Sequence, residues 1–497
     1  MTLRGADLRF ALSMTVRSAS VLADGRGGPA GHRVTHLARG LQAAGVELVT
    51  AGAGSASRPV DVVVAPARRA GEALAVPAAA HLLLGRPPAG LRRRAGGQVR
   101  PLLVSGDAAR PTFVVPADEP VALRYYLGRM SAPTSPARRA RNLALATTLR
   151  GRVPIGRLLP PRLAVTVVTA GESRLPLLVR AAEYVGVRPD VDWLLALGTG
   201  DELQRAVFHL LDAGRPRWVL KFARVPGHDA PFRRDEAGLG LAGSAGPVVA
   251  ARAPVMLGRF EVAGIAASVE TAAAGRPLLE LLRRGGRPGV PAGLLDSIAG
   301  WVVAMGVATA APPAALAPER ARLEREVLPR WRHAGAPVDL VRALPELPAV
   351  LQHNDLGSWN VVTDGQDFTA VDWESARPVG LPLWDLLYLL ADCLVRLDGP
   401  APAEALVARA LALFRGESAR SPALFAWVRR AVTALHIPPE AVGPIATLCW
   451  LHHGLSADVR GAALAGGAPA PTGHLARLAA PWLTDPALGP AWSAWSA

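Results

Sequence analysis

The chain has 497 residues, half of them hydrophobic, and a net charge of +15. That length exceeds one ordinary core, so two or three domains are expected, and the apolar content excludes wholesale disorder. Two cysteines, Cys393 and Cys449, form no CxxC pair, which excludes a disulfide framework or a cysteine-rich zinc site and fits a cytoplasmic location.

The basic residues are spread along the chain, apart from Arg92, Arg93 and Arg94 and the cluster of Arg138, Arg139 and Arg141. No recognition helix, zinc finger or aromatic RNA-binding run accompanies them, so nucleic acid is not expected as a partner. Almost every basic residue is arginine, and Lys221 is the only lysine. An ammonium is a compact point charge that the wide guanidinium fork replaces poorly, so a lysine kept at one place only points to a site that needs it.

In chain order, the N-terminus lacks a secretory pattern, because Arg17 ends the short apolar piece that starts at Phe10. Residues 1–110 read as a small α/β module of unknown role. It has a helix over Val34 to Ala44, a buried strand at Asp61 to Ala65, and a Pro-, Gly- and Arg-rich loop or linker from Arg86 to Arg100. A degenerate nucleotide- or sugar-binding fold and a structural extension both fit it. Residues 111–185 read as a connecting segment packed on the following domain, with a strand at Ala164 to Val168. From 186 to 274 the pattern becomes strand, glycine turn, strand, turn, strand. The strands are Trp193 to Leu197, Arg205 to Leu211 and Trp218 to Phe222, followed by a helix over Phe232 to Leu241 and strands near Val255 to Leu257 and Ala263 to Glu270. Residues 275–497 are mainly helical with a β interruption at 350–374. The uncharged stretch Ile298 to Pro318 is long enough to span a bilayer, but Pro312 and Pro313 favour a buried helix ending in a turn.

The chemistry concentrates in that interruption. It runs Leu351-Gln352-His353-Asn354-Asp355-Leu356-Gly357-Ser358-Trp359-Asn360 and on through Asp364-Gly365 to Val371-Asp372-Trp373-Glu374. Asp-Gly between apolar runs signals a hairpin. With Asp364 to Asp367 as its loop, Thr363 faces Phe368 and Asn360 faces Val371, which brings Asn360 and Asp372 to the same end. An amide oxygen and a carboxylate suit a hard cation such as Mg²⁺, and a further carboxylate can take the proton of a hydroxyl.

This segment resembles the catalytic loop and metal-binding segment of aminoglycoside phosphotransferases, choline kinase-like enzymes and their relatives, which share the protein-kinase fold. The resemblance covers roughly residues 185–460. It implies an α+β, bilobal protein-kinase-like fold, with a small β-rich N-lobe and a helical C-lobe, joined here to the additional N-terminal α/β module. It further implies ATP and Mg²⁺ as cofactors bound between the lobes, and transfer of the γ-phosphoryl group to a hydroxyl of a small molecule. Asp355 would be the catalytic base, His353 would brace the loop, and Asn360 and Asp372 would hold the metal. Lys221 would bind the α- and β-phosphates, with Glu236 as its ion-pair partner and Asp235 as the competing choice. Gly198 and Gly200 would supply a glycine loop that lacks its third glycine at Leu203. A methyltransferase-type turn is the rival reading of that stretch. The stretch Ser268 to Thr271, including Glu270, would be the adenine-binding hinge. Asp385 would support the catalytic loop or simply cap its own helix. Trp450, His452 and His453 are acceptor-site candidates by character alone. A catalytically weak kinase-fold scaffold or sensor is the alternative function.

Overall fold

The computed structural model of the protein describes residues from Phe10 to Trp492, apart from 11–15, 23–28, 50–58, most of 131–162, 170–174, 188–190, 199–202, 284–289, 466–472 and a few isolated positions. The chain forms two units, one of Met1–Phe232 with Met256–Ala272 and one of Arg233–Val255 with Ala273–Ala497.

The first unit is built on a twelve-stranded sheet. Its strands are β1 (Ser18–Val21), β2 (Glu47–Val49), β3 (Val60–Pro66), β4 (Ala78–Leu84), β5 (Gln98–Asp107), β6 (Arg110–Pro116), β7 (Ala164–Thr169), β8 (Asp192–Ala196), β9 (Ala206–Asp212), β10 (Arg215–Phe222), β11 (Met256–Val262) and β12 (Ile265–Thr271). Their order is β2-β1-β3-β4-β7-β5-β6-β8-β9-β10-β12-β11. The first four are mutually parallel. β3 and β4 are near-continuous apolar runs, as strands covered on both faces require. Helix α1 (Pro29–Ala43) connects β1 to its parallel neighbour β2 and buries Val34, Leu37 and Leu41.

From β7 onward every pairing is antiparallel. Ala213-Gly214 joins β9 to β10 and Ala263-Gly264 joins β11 to β12, all four with positive φ, as two-residue hairpin turns of the primed type require. Helix α2 (Pro176–Val185) packs on β11. Two segments differ from the reading of the sequence. The expected loop of 86–100 holds a helical turn at Leu91–Arg94 and the start of β5. Segment 111–185 supplies β7 and nearly all of β6, and β6 pairs with β8 through Phe113–Ala196 and Val114–Leu195. The N-terminal strands therefore share one sheet with the five strands β8 to β12, and no edge stays open where they meet.

The second unit is mainly helical. It holds most of α3 (Ala230–Ser244), then α4 (Leu294–Ala308), α5 (Trp384–Arg396), α6 (Ala403–Phe414), α7 (Ser421–Ala434) and α8 (Pro439–Ala465). Its core is aromatic, with Trp373, Trp384 and Trp450 fully buried. The Trp384 indole N–H donates to the Ile445 carbonyl at 3.1 Å, so a buried polar edge is satisfied while α5 and α8 are tied together. The uncharged stretch from Ile298 runs through the rest of α4 and then a Pro-rich turn at Pro313–Leu316. Among the described residues no helix is long and apolar enough to cross a membrane.

Candidate active site

The site of the second unit is built around a hairpin of β15 (Val361–Thr363) and β16 (Phe368–Ala370), flanked by β13 (Arg276–Pro277) on β15 and by the pair β14 (Val350–Gln352) and β17 (Arg377–Gly380). Its register is Thr363–Phe368 and Val361–Ala370, and the Val371 N–H donates to the Asn360 carbonyl at 2.8 Å. Inside the loop, Asp364 accepts the N–H groups of Gln366 and Asp367, both at 2.9 Å, so a short polar side chain replaces part of the ladder. Gly275 lies against this hairpin. A Cβ there would meet the Thr363 carbonyl oxygen at 2.0 Å, so only glycine fits.

Asp355 and Asp372 are half-buried, while their neighbours Asn354, Asn360 and Trp373 are buried. The Asn360 amide nitrogen donates to the Asp355 carbonyl at 2.9 Å and to its carboxylate at 3.0 Å. This fixes the carboxylate and leaves the Asn360 amide oxygen as an acceptor. Asp372 follows the residue paired with Asn360 and adopts the left-handed conformation at φ 67°.

His353 donates from Nε2 to the Val371 carbonyl at 3.0 Å and packs its ring 4.7 Å from that of Trp373. Burial lowers its pKa to about 4, so it is neutral at pH 7, with the proton on Nε2 because a carbonyl can only accept. It tethers the loop to the end of the hairpin.

Helix α5 holds the loop from the other side. The Asp385 carboxylate accepts the N–H of His353 and that of Asn354, each at 2.7 Å, so it supports the loop and makes no cap to its own helix. Burial raises its pKa to about 6, against the lowering effect of those two bonds, so it is ionised at pH 7. Seven residues on, Asp392 accepts the Ser358 N–H at 3.0 Å and is paired with Arg396. Asp392 was missed in the sequence. Its signal was available: two carboxylates seven apart share one face of a helix that is otherwise apolar.

Helix α3 approaches the site at Gly238, where a Cβ would meet the Trp373 carbonyl oxygen at 2.0 Å. Arg234 pairs with Glu374 at 3.6 Å, and Asp235 is buried on the same helix. Tyr388, one turn into α5, stacks on His453 at 4.1 Å and stands near Trp359 at 6.0 Å. Burial first and the Asp355 charge next raise the Tyr388 pKa, so the phenol is neutral. His453 is neutral too, with burial lowering its pKa to about 3. Trp450 is fully buried packing.

The donor set bears on the metal. Among the described residues no cluster of three or more His, Cys, Asp or Glu could hold an ion unaided. One amide oxygen and one carboxylate fit instead a Mg²⁺ ion that completes its shell with phosphate oxygens and water.

In the first unit, Lys221 on β10 is 3.0 Å from the Glu270 carboxylate on β12, and both side chains are buried. Glu270 lies inside the sheet with Val219 on one side and Met256 on the other, and the Ala272 N–H donates to the Arg217 carbonyl. The backbone of the expected hinge is therefore used by the sheet up to that point, and Glu270 offers its side chain. Glu236, the expected partner of Lys221, is half-buried on α3 in the second unit. Gly198 follows β8 by two residues with φ 66°, and Gly200 lies outside the described residues.

Residues 198–423 match the family described as "Phosphotransferase enzyme family". No curated protein matches the chain. Among solved structures, an aminoglycoside-3'-phosphotransferase of type VIII is 20% identical, over 52% of this chain and 99% of that one, with a TM-score of 0.29. WbdD, described as a bifunctional kinase-methyltransferase, is 13% identical, over 87% of each chain, with a TM-score of 0.26. Residues 198–423 thus resemble the phosphotransferase enzyme family, and the described residues, with their large β-sheet and many helices, have a mixed α+β architecture.

Proposed function

We propose that this domain moves the γ-phosphoryl group of ATP to a hydroxyl of a small molecule with the help of Mg²⁺. The observation that supports this most is the Asp355 carboxylate, half-buried and fixed by Asn360, at the end of a hairpin that also presents Asp372. The acceptor oxygen attacks the γ-phosphorus while the bond to the β-phosphate oxygen breaks. The acceptor proton passes to Asp355, and ADP and a phosphate ester leave.

The transferred group needs little covalent help, so the protein's part is positioning and charge stabilisation. Asp355 orients the hydroxyl and accepts its hydrogen bond. Asp385 and Asp392 hold the backbone of the loop, and His353 fixes the loop to the hairpin. Asn360 and Asp372 would hold Mg²⁺, which would supply positive charge to offset the negative charge of the phosphates. Lys221 is assigned to the α- and β-phosphates by its place on the third strand of the family pattern, and Glu236 remains the family-type candidate for its partner.

Phosphate transfer from γ-labelled ATP to a panel of sugars, aminoglycosides and other hydroxylated metabolites tests this reading. Label in at least one acceptor is the expected result. Failure to bind Mg-ATP, with no transfer to any acceptor, would refute it.

A further inference from the structure

The ion pair in the first unit leads further. Lys221 stands opposite Ser268 in the register of β10 and β12, and Val219 stands opposite Glu270. Paired residues project to the same face, so Lys221 and Glu270 are diagonal neighbours across an antiparallel pair, within reach of two long side chains. Their charged ends meet at 3.0 Å, with the Lys221 side chain 10% and the Glu270 side chain 3% exposed. The other face of these strands carries Leu220, Phe222, Ala267 and Val269 into the hydrophobic core, which fixes the register. The pair is thus held by two adjacent strands of one sheet, both in one unit.

A pair of this kind costs desolvation at both charges, and isosteric apolar residues would often serve stability equally well. A lysine kept where the rest of the chain uses arginine has a chemical reason. An ammonium carries three donors, so holding a carboxylate and a phosphate at once is within its capacity. The Ser268 hydroxyl beside it is fully buried and makes no hydrogen bond within the protein. It gives the ammonium no competing tether on that side.

We infer that Glu270 is the positioning residue of Lys221. It is a strand-borne counter-ion that sets the phosphate-binding ammonium inside the sheet. The lysine is then preset by the sheet that carries it. This inference rests on the assignment of Lys221 to the nucleotide phosphates and gives Glu270 a role different from the backbone hinge contact implied by its sequence context.

The test uses the full chain and measures binding of Mg-ATP and of adenosine, which has no phosphates. Glu270→Gln keeps the size of the side chain and removes its charge. It is expected to weaken Mg-ATP by about tenfold or more, as loss of a charge-assisted contact does, while adenosine changes less than about twofold. Glu236→Gln is expected to weaken Mg-ATP less than Glu270→Gln does. In a Lys221→Ala background Glu270→Gln should add nothing, because partners that act as a unit are not additive. Equal losses for Mg-ATP and adenosine would reduce Glu270 to a purely structural residue and overturn the inference. A larger effect from Glu236→Gln, or full additivity with Lys221→Ala, would also overturn it. Wild-type protein that bound no Mg-ATP would instead bring down the nucleotide assignment beneath it.

Discussion

Between β9 and β10 the chain turns on Ala213-Gly214, and between β11 and β12 on Ala263-Gly264. In both turns an unusual positive φ is rewarded at once by the twist of a hairpin. In the segment from His353 to Asp385 Gly365 lies in the hairpin loop, but among non-glycine residues positive φ falls on Asn354, Asp372 and Leu383, where no such turn rewards it. Each such residue costs on the order of 1–3 kcal/mol and persists only when its surroundings over-determine it. Here the surroundings are visible. Asp385 accepts the N–H groups of His353 and Asn354, the Asn360 carbonyl accepts that of Val371, and His353 donates a hydrogen bond to the Val371 carbonyl. The sheet obeys local rules, while the loop is forced against them by long-range bonds. In the loop the strain sits at Asn354 and Asp372, where the chemistry is proposed.

The comparison breaks most sharply at the site itself. Asp372→Asn removes the carboxylate proposed to hold the metal without altering the hairpin ladder, and should lower transfer by on the order of 10²-fold or more. ATP affinity measured with and without Mg²⁺ checks it, since the loss should appear only with the metal. Asp385→Ala should come next. It leaves two buried N–H groups without an acceptor, at about 2–5 kcal/mol in total, read by denaturant titration. A change below about 1 kcal/mol would mean that the loop holds its own shape.

Acidification sharpens the same contrast. His209, His353 and His453 have pKa values of about 4, 4 and 3, each lowered from 6.5 by burial. The unfolded chain therefore binds protons that the folded chain refuses, and stability falls as pH drops from about 6.5 toward 4. Asp385 acts in the opposite sense. Its pKa is raised from 3.8 to about 6, so acidification through that range relieves a penalty. Three histidines outweigh one aspartate, and Tm should fall from pH 7 to pH 5. A flat profile would contradict the buried, neutral state of the histidines.

The smallest effects come from two glycines of α3. Gly238→Ala forces a Cβ against the Trp373 carbonyl and should destabilise by about 1–3 kcal/mol. Gly240→Ala, with open space around it, should stabilise by about 0.5–1 kcal/mol. Equal effects would mean that α3 does not press on the Trp373 segment.

What the sequence disclosed follows the range of the forces involved. The Asp364-Gly365 turn fixed the pairing of Thr363 with Phe368, because a hairpin is a local event. The even choice at Asp385, loop support or helix cap, needed the fold, since its partners are 31 and 32 residues away. The union of the N-terminal strands with β8 to β12 was not legible either. Alternating apolar residues mark a strand but do not name its partner, and β6 and β8 are joined by a long connection. The link of Lys221 to Glu270 was hidden for the same reason, because it depends on register across two strands. Asp392 could have been read from its spacing to Asp385, and Leu383 in the left-handed region could not.

The account stands most directly on one residue. Transfer from γ-labelled ATP should be measured for the wild type and Asp355→Asn, with Mg-ATP binding determined on the same samples. The expected result is binding within about twofold and transfer reduced by on the order of 10²–10⁴-fold, the range for loss of a general base. Full transfer by Asp355→Asn, with binding intact, would contradict the claim that this carboxylate is the base.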